Sequence, residues 1–303
     1  MIAPALLAVA SLGIAGALAL DIALRVMGLG GFPLYARDPA STYRMASDQQ
    51  GRFRRRARWR FDRFGIRTDD SAASLAGRIV LLGDSVVEGG IHLDQDDTLA
   101  AIVARDSGWA VSAVACHGWA LSNELGALTT LPGWEQAAAL VWVVNTGDFD
   151  TVGRGESELS FPTRRPLWLA LWLARRHIYR ARPRWWPFRS HFLTPGPHRP
   201  EMRGEALARF AGIAPRIAGP IVIVGHARRD ESIMDGDIAG EPFFRELAAV
   251  RPGSAYVSPA ALPGWDRDCY IDDIHPNARG ARLIADAIIP NLPPFNPRKR
   301  EEP

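Results

Sequence analysis

Ser85 ends a short apolar run, Ile79-Val80-Leu81-Leu82-Gly83-Asp84-Ser85, and His275 lies three residues after Asp272 in Asp272-Asp273-Ile274-His275. These are the three groups that nucleophilic acyl transfer needs. A serine hydroxyl is a weak nucleophile until a base such as His275 takes its proton. A carboxylate such as Asp272 then holds the imidazole in the useful tautomer. A strand that delivers Ser85 into a glycine-containing turn leaves the hydroxyl at a sheet edge, beside the N-terminus of the following helix. The N–H groups there have no helical partner and can stabilise a developing oxyanion.

The elements expected around these residues alternate β and α. Strands are expected at Arg78–Leu82, Trp109–Ala115, Ala138–Val144, Ile221–Val224 and Ala255–Val257. Ala138–Val144 is almost wholly apolar, as a central parallel strand should be. Helices are expected from a cap at Asp96 or Asp97 to about Asp106, over Ser122–Leu131 and Glu241–Val250, and over Asn277–Ile289. In the last, Ala281, Ile284, Ala285 and Ile288 share one face. Right-handed crossovers turn this order into an α/β fold: a three-layer α/β/α sandwich with a mostly parallel, flavodoxin-like sheet of five strands. Ser85, Gly118 and Asn145–Asp148 all follow strand C-termini, the edge where open α/β sheets bind ligands.

At this point the chain resembles the SGNH (GDSL-type) esterases and lipases. Gly83-Asp84-Ser85 matches the nucleophile block, and Asp272-Asp273-Ile274-His275-Pro276-Asn277 the terminal block. Gly118, in Cys116-His117-Gly118-Trp119, falls on the second-block glycine. Val143-Val144-Asn145-Thr146-Gly147-Asp148 falls where the family reads Gly-x-Asn-Asp. The resemblance covers roughly residues 75–290 and implies a catalytic trio of Ser85, His275 and Asp272. It places the oxyanion hole among Ser85, Gly118, Asn145 and Gly147. The third block departs from the pattern, because the oxyanion asparagine falls on Gly147 and an asparagine stands two residues earlier. Either Asn145 reaches the hole from a shifted loop, or the hole relies on the N–H groups of Ser85 and Gly118. Loss of one oxyanion donor costs about 2.7–4 kcal/mol of transition-state stabilisation, which slows an enzyme without abolishing it.

The expected activity is a serine esterase that removes acyl groups, O-acetyl above all, from envelope or exported polysaccharide. An O-acetyltransferase on the same scaffold and a non-catalytic carbohydrate-binding protein are the alternatives. No cofactor and no metal are implied; the other histidines, His92, His117, His177, His191, His198 and His226, form no metal-like spacing. His117 is read as structural, with a place lining the pocket as the alternative. Asp84 and Asp148 are read as loop-holding acceptors.

The 303 residues are 47% hydrophobic with a formal charge of +3. This suits one large domain with appendages. All basic residues but Lys299 are arginine, which nucleotide bias in the source genome explains. Residues 2–20 carry no charge, so residues 1–29 are expected to form a single-pass membrane anchor. Arginines 25, 37 and 44 just after it favour a cytoplasmic domain, whereas anchored members of the resembling family favour the outer side; the expectation follows the family. Residues 30–74 read as a basic connector packed on the catalytic domain. Within it, Arg52–Phe61 alternates basic and bulky residues, as a solvated strand or an acidic-polymer or lipid patch would. Nucleic acid is not an expected partner, since no recognition motif accompanies the charge. Residues 75–292 are the hydrolase domain, with an insertion at 151–200. Its Trp- and Arg-rich stretch 167–189 reads as a core helix, a lid or an interfacial helix. Residues 293–303 read as a disordered tail. Cys116 and Cys269 fit a disulfide or two buried thiols.

Overall fold

The computed structural model of the chain describes residues 2–70, 72–155, 157–181, 199–231, 238 and 240–295. A helix, α1 (Ile2–Val26), leads into two antiparallel hairpins, β1 (Tyr35–Asp38) with β2 (Thr42–Met45), and β3 (Gln49–Phe53) with β4 (Ala57–Phe61). Five parallel strands follow: β5 (Ile79–Gly83), β6 (Val111–Ala115), β7 (Ala139–Asn145), β8 (Ile221–His226) and β9 (Ala255–Val257). Their order is β6-β5-β7-β8-β9. With β5 counted as the first strand of the sheet this is 2-1-3-4-5, the flavodoxin-like arrangement expected from the sequence.

Strand alternation divides the core. Ile79 and Leu81 point to one face, where they meet α3 (Leu99–Ser107) and α8 (Ala278–Ile288). Val80, Leu82, Trp142 and Val144 point to the other, toward α4 (Leu121–Thr130), α6 (Glu201–Ile213) and α7 (Glu241–Ala249). The result is the three-layer sandwich. α6 is absent from the sequence expectation. Its buried Met202, Ala206, Phe210 and Ile213 give the helical spacing, with Gly204 and Gly212 diluting the signal. The cap of α3 is Thr98, whose Oγ accepts from the Ala101 N–H; the expected Asp96 and Asp97 lie in a 3-10 turn capped by Asp94.

The hairpins belong to the same core. Ala57, Trp59 and Phe61 of β4 are buried, while Arg58 and Arg60 between them face outward. Tyr43 and Met45 are also buried there. The alternation in 52–61 is therefore that of a half-buried strand. At its hairpin tip Arg54 and Arg55 both have positive φ, 48° and 59°.

Among the described residues no helix is long and apolar enough to cross a membrane, which overturns the expected membrane anchor and the localisation built on it. The last turns of α1 are tied into the protein by polar contacts. Buried Asp21 accepts from the Ala170 N–H at the start of α5 (Leu169–Ala181), and pairs with Arg25 at 2.7 Å. Arg25 in turn donates to the carbonyls of Pro166 and Leu167. Within α5 Leu169 is fully buried, whereas Leu171 and Ile178 are exposed. The helix lies along α1, with Trp172 stacked on Phe32. Arg184–Phe188 lie outside the described residues. The tail expected to be disordered from Pro293 is held at its start, where the Pro293 carbonyl accepts from Trp109 and Phe295 packs on that indole.

Candidate active site

The turn between β5 and α2 (Ser85–Glu88) is tight enough to require its glycine. A Cβ on Gly83 would stand 2.6 Å from the Val87 side chain and 2.9 Å from the Val143 carbonyl. Asp84 caps α2 by accepting the Val86 N–H at 2.9 Å. Ser85 is then the first residue of the helix, only 4% exposed. As the first helical residue it has an N–H with no intrahelical acceptor.

The structure brings Ser85, His275 and Asp272 together from positions up to 190 residues apart. Ser85 Oγ lies 2.8 Å from His275 Nε2. His275 Nδ1 lies 2.8 and 2.9 Å from the two Asp272 carboxylate oxygens. A carboxylate only accepts, so Nδ1 carries the proton and Nε2 is left to accept the serine proton. Asp272 is fixed in turn by the N–H groups of Ile274 and His275, at 3.0 and 2.9 Å. Partial burial works against its charge, yet these two N–H groups and the imidazole hold its carboxyl below the ordinary range.

Gly118 has φ +73°, and a Cβ there would approach the Tyr43 hydroxyl to 3.1 Å. Tyr43 Oη donates to the His117 carbonyl at 2.9 Å. In a planar trans peptide the Gly118 N–H points opposite to that carbonyl, so this hydrogen bond also aims the N–H. Among the described residues the Gly118 N–H has no acceptor. The His117 ring stacks on His275 with centroids 6.0 Å apart, so the residue read as structural borders the site.

Asn145 and Gly147 stand differently from the sequence expectation, and both are corrected as oxyanion donors. Asn145 Nδ2 donates to Asp148 at 2.7 Å and to Asp84 at 3.3 Å, and the side chain is buried. Its Oδ1 accepts the Gly147 N–H at 2.8 Å. Every donor the two residues were expected to offer is committed: that of Asn145 to Asp148 and Asp84, that of Gly147 to Asn145 itself. The asparagine is a strut between the first and third blocks.

Behind that strut lie three buried carboxyls, Asp84, Asp148 and Glu124. Asp84 Oδ2 also stands 3.2 Å from Ser85 Oγ. Burial, then the charges of Asp84 and Glu124, push Asp148 well up. Burial, then Asp84, do the same to Glu124, whose Oε2 accepts from the Trp142 indole at 2.5 Å. Both shifts favour the protonated acid. One turn beyond Ser85, Glu88 is buried and its carboxyl is pushed up to about 7 by burial, against the pull of Arg67 and His275. Glu88 and Arg67 carry no signature in the sequence, because the buried Arg67 spends its donors on the carbonyls of Glu88, Gly90 and Leu93, contacts with no local pattern.

Among the described residues no three His, Cys, Asp or Glu side chains cluster as a metal site. Cys116 and Cys269 are free and buried.

No family model matches the sequence, and no curated protein matches it. Solved structures do. One is a carbohydrate esterase family 2 enzyme plus carbohydrate-binding domain from Corynascus thermopiles (Myceliophthora fergusii). It is 14% identical, with 75% of this chain and 68% of that chain covered and a TM-score of 0.44. A second is a lipolytic protein of the G-D-S-L family from Desulfitobacterium hafniense, 10% identical over 71% of this chain and 99% of that one, TM-score 0.43. A third is the lipase Lip_vut3 from a goat rumen metagenome, 17% identical over 70% and 96%, TM-score 0.39. Such values carry no activity from one chain to another, so the functional reading rests on the geometry of the site.

Proposed function

We propose that the protein is a serine ester hydrolase working through an acyl-enzyme on Ser85. The observation that carries this reading is the continuous hydrogen-bonded line from Ser85 Oγ through His275 to Asp272, at 2.8 Å on each side of the imidazole. Ser85 Oγ attacks the acyl carbonyl carbon while its proton passes to His275 Nε2. The oxyanion is held by the N–H groups of Ser85 and Gly118. Collapse breaks the bond to the leaving alcohol, which takes the proton back from His275. Water repeats the sequence on the acyl-serine, releasing the acid and regenerating the hydroxyl. Asp272 stabilises the imidazolium formed in both halves. The substrate class we propose is an O-acylated carbohydrate, with acetyl as the acyl group.

A fluorophosphonate serine probe tests this reading on the wild type beside Ser85→Ala and His275→Ala. Labelling of the wild type that is absent from both variants is expected, followed by acetate release from acetylated sugars. A folded wild type that takes no label, or a Ser85→Ala protein that still turns over ester, would overturn it.

A further inference from the structure

His226, the last residue of β8, is fully buried and pairs in register with Asn145 of β7. It therefore stands at the sheet edge that carries Ser85, yet nothing in the proposed reaction uses it. Its Nε2 lies 2.7 Å from the carbonyl oxygen of Ile274, the residue before His275. A carbonyl only accepts, so Nε2 bears the proton and Nδ1 is bare. Nδ1 is buried and, among the described residues, has no hydrogen-bond partner. The rings of Trp265 and Tyr270 close around the imidazole with centroids 5.9 Å away.

We infer that His226 is the positioning residue for the general base. Its hydrogen bond to the Ile274 carbonyl fixes the peptide from which His275 projects, and so the separation of His275 Nε2 from Ser85 Oγ. It touches no reacting atom and acts through Ile274. The inference rests on the acyl-transfer reading of the site. Two further bonds clip the same segment to the end of β8: Tyr270 Oη donates to the Ala227 carbonyl at 2.6 Å, and the Arg229 N–H donates to the Asp273 carbonyl at 2.9 Å. Those two hold the preceding residues. The His275 N–H of the same peptide goes to Asp272 within the turn, so among the described residues His226 is the side chain that ties this peptide to the sheet.

A histidine suits this place because it donates without charge. His275 becomes an imidazolium during each half-reaction, and a cationic donor packed behind it would oppose that charge. A second proton on His226 would sit on Nδ1 with nothing to receive it. Burial accordingly lowers its proton affinity below that of an ordinary histidine, and the charge of His275 adds to the lowering.

The test compares His226→Phe, which keeps a ring and loses the donor, with His226→Gln, whose neutral amide reaches the Nε2 position. The fluorophosphonate labelling rate is followed from about pH 5 to about pH 9, so that the acid limb set by the base is resolved. The Phe variant is expected to label roughly 10- to 100-fold more slowly with a displaced acid limb, because small misplacements of a catalytic group cost that much. The Gln variant is expected to recover most of the rate and the wild-type profile. A folded Phe variant with wild-type rate and profile overturns the inference, as does a Gln variant as slow as Phe. Should Phe not fold, His226→Asn replaces it, since its shorter amide stops at the Nδ1 position. A wild type that takes no label sinks the acyl-transfer reading instead. The inference is then read from the Nδ1–H resonance of His275 in nitrogen-15 spectra. That signal is expected in the wild type and lost to exchange in the donor-less variant; an unchanged signal overturns the inference.

Discussion

Asp272 reaches Ser85 through His275 from a turn that solvent touches, its side chain 53% exposed. Asp84, Asp148 and Glu124 lie behind the same hydroxyl almost wholly out of solvent. The same kind of group thus serves Ser85 from two sides under opposite conditions. On the open side two backbone N–H groups and an imidazole favour the charged carboxylate. On the closed side burial first, and the neighbouring carboxyls after it, push Asp148 and Glu124 toward the protonated acid. The difference separates two tasks. A group that must stabilise a passing positive charge has to be ionised. A buried acid that only accepts from an indole or an amide, as Glu124 and Asp148 do, carries no such requirement.

The sharpest way to break this contrast is Asp272→Asn. An amide preserves the shape but leaves the imidazole in the wrong tautomer, and about a 10⁴-fold loss of turnover is expected, with the melting temperature nearly unchanged. A loss of only a few-fold would mean that the charge of Asp272 is not what His275 uses. A second comparison is thermodynamic. Glu88 belongs with the closed side, its carboxyl pushed up to about 7 from an ordinary 4.5. For a group raised in the folded state, stability is full below the unfolded value and is lost as pH rises through the folded one. Glu88 therefore costs about 3 kcal/mol once the pH has passed from about 4 to about 8. Asp272 is lowered, so its contribution has the opposite sign and is lost as pH falls through the acid range. Urea melts of Glu88→Gln at those two pH values should show the alkaline loss shrink by about 3 kcal/mol relative to wild type. An unchanged difference would place Glu88 among the ionised groups.

How far each side could be read from the sequence follows from where its partners lie. Asp272 binds His275 three residues away, and Asp84 caps a turn two residues away, so local spacing exposes both. The five strands were legible for a similar reason: each is a short apolar run between turn residues. Asn145 looked local and in part is, since its amide donates to Asp148 three residues on, but no spacing rule foretells its second contact, to Asp84, 61 residues distant. The N-terminal helix failed in the same way. Its apolar run invited a membrane reading, while the contact that docks it, Asp21 to Ala170, spans 149 residues. Glu124 and His226 were invisible as site neighbours because their partners, Trp142 and Ile274, come from other elements.

The smallest expected effect is the one that best separates a strut from an oxyanion donor. Asn145→Ala removes donors that Asp148 and Asp84 both use and the acceptor of the Gly147 N–H, without adding charge. Leaving such buried groups unpaired costs about 1–3 kcal/mol of stability. The probe-labelling rate, by contrast, should fall much less than the roughly 10²- to 10³-fold expected on losing a donor to the oxyanion. The two readouts move oppositely under the two roles. A strut lowers the urea midpoint and spares most of the rate, whereas a donor spares the midpoint and takes the rate. If the variant kept its midpoint and lost the rate, Asn145 would swing toward the hole during acylation, and the closed side of the site would take part in the chemistry after all.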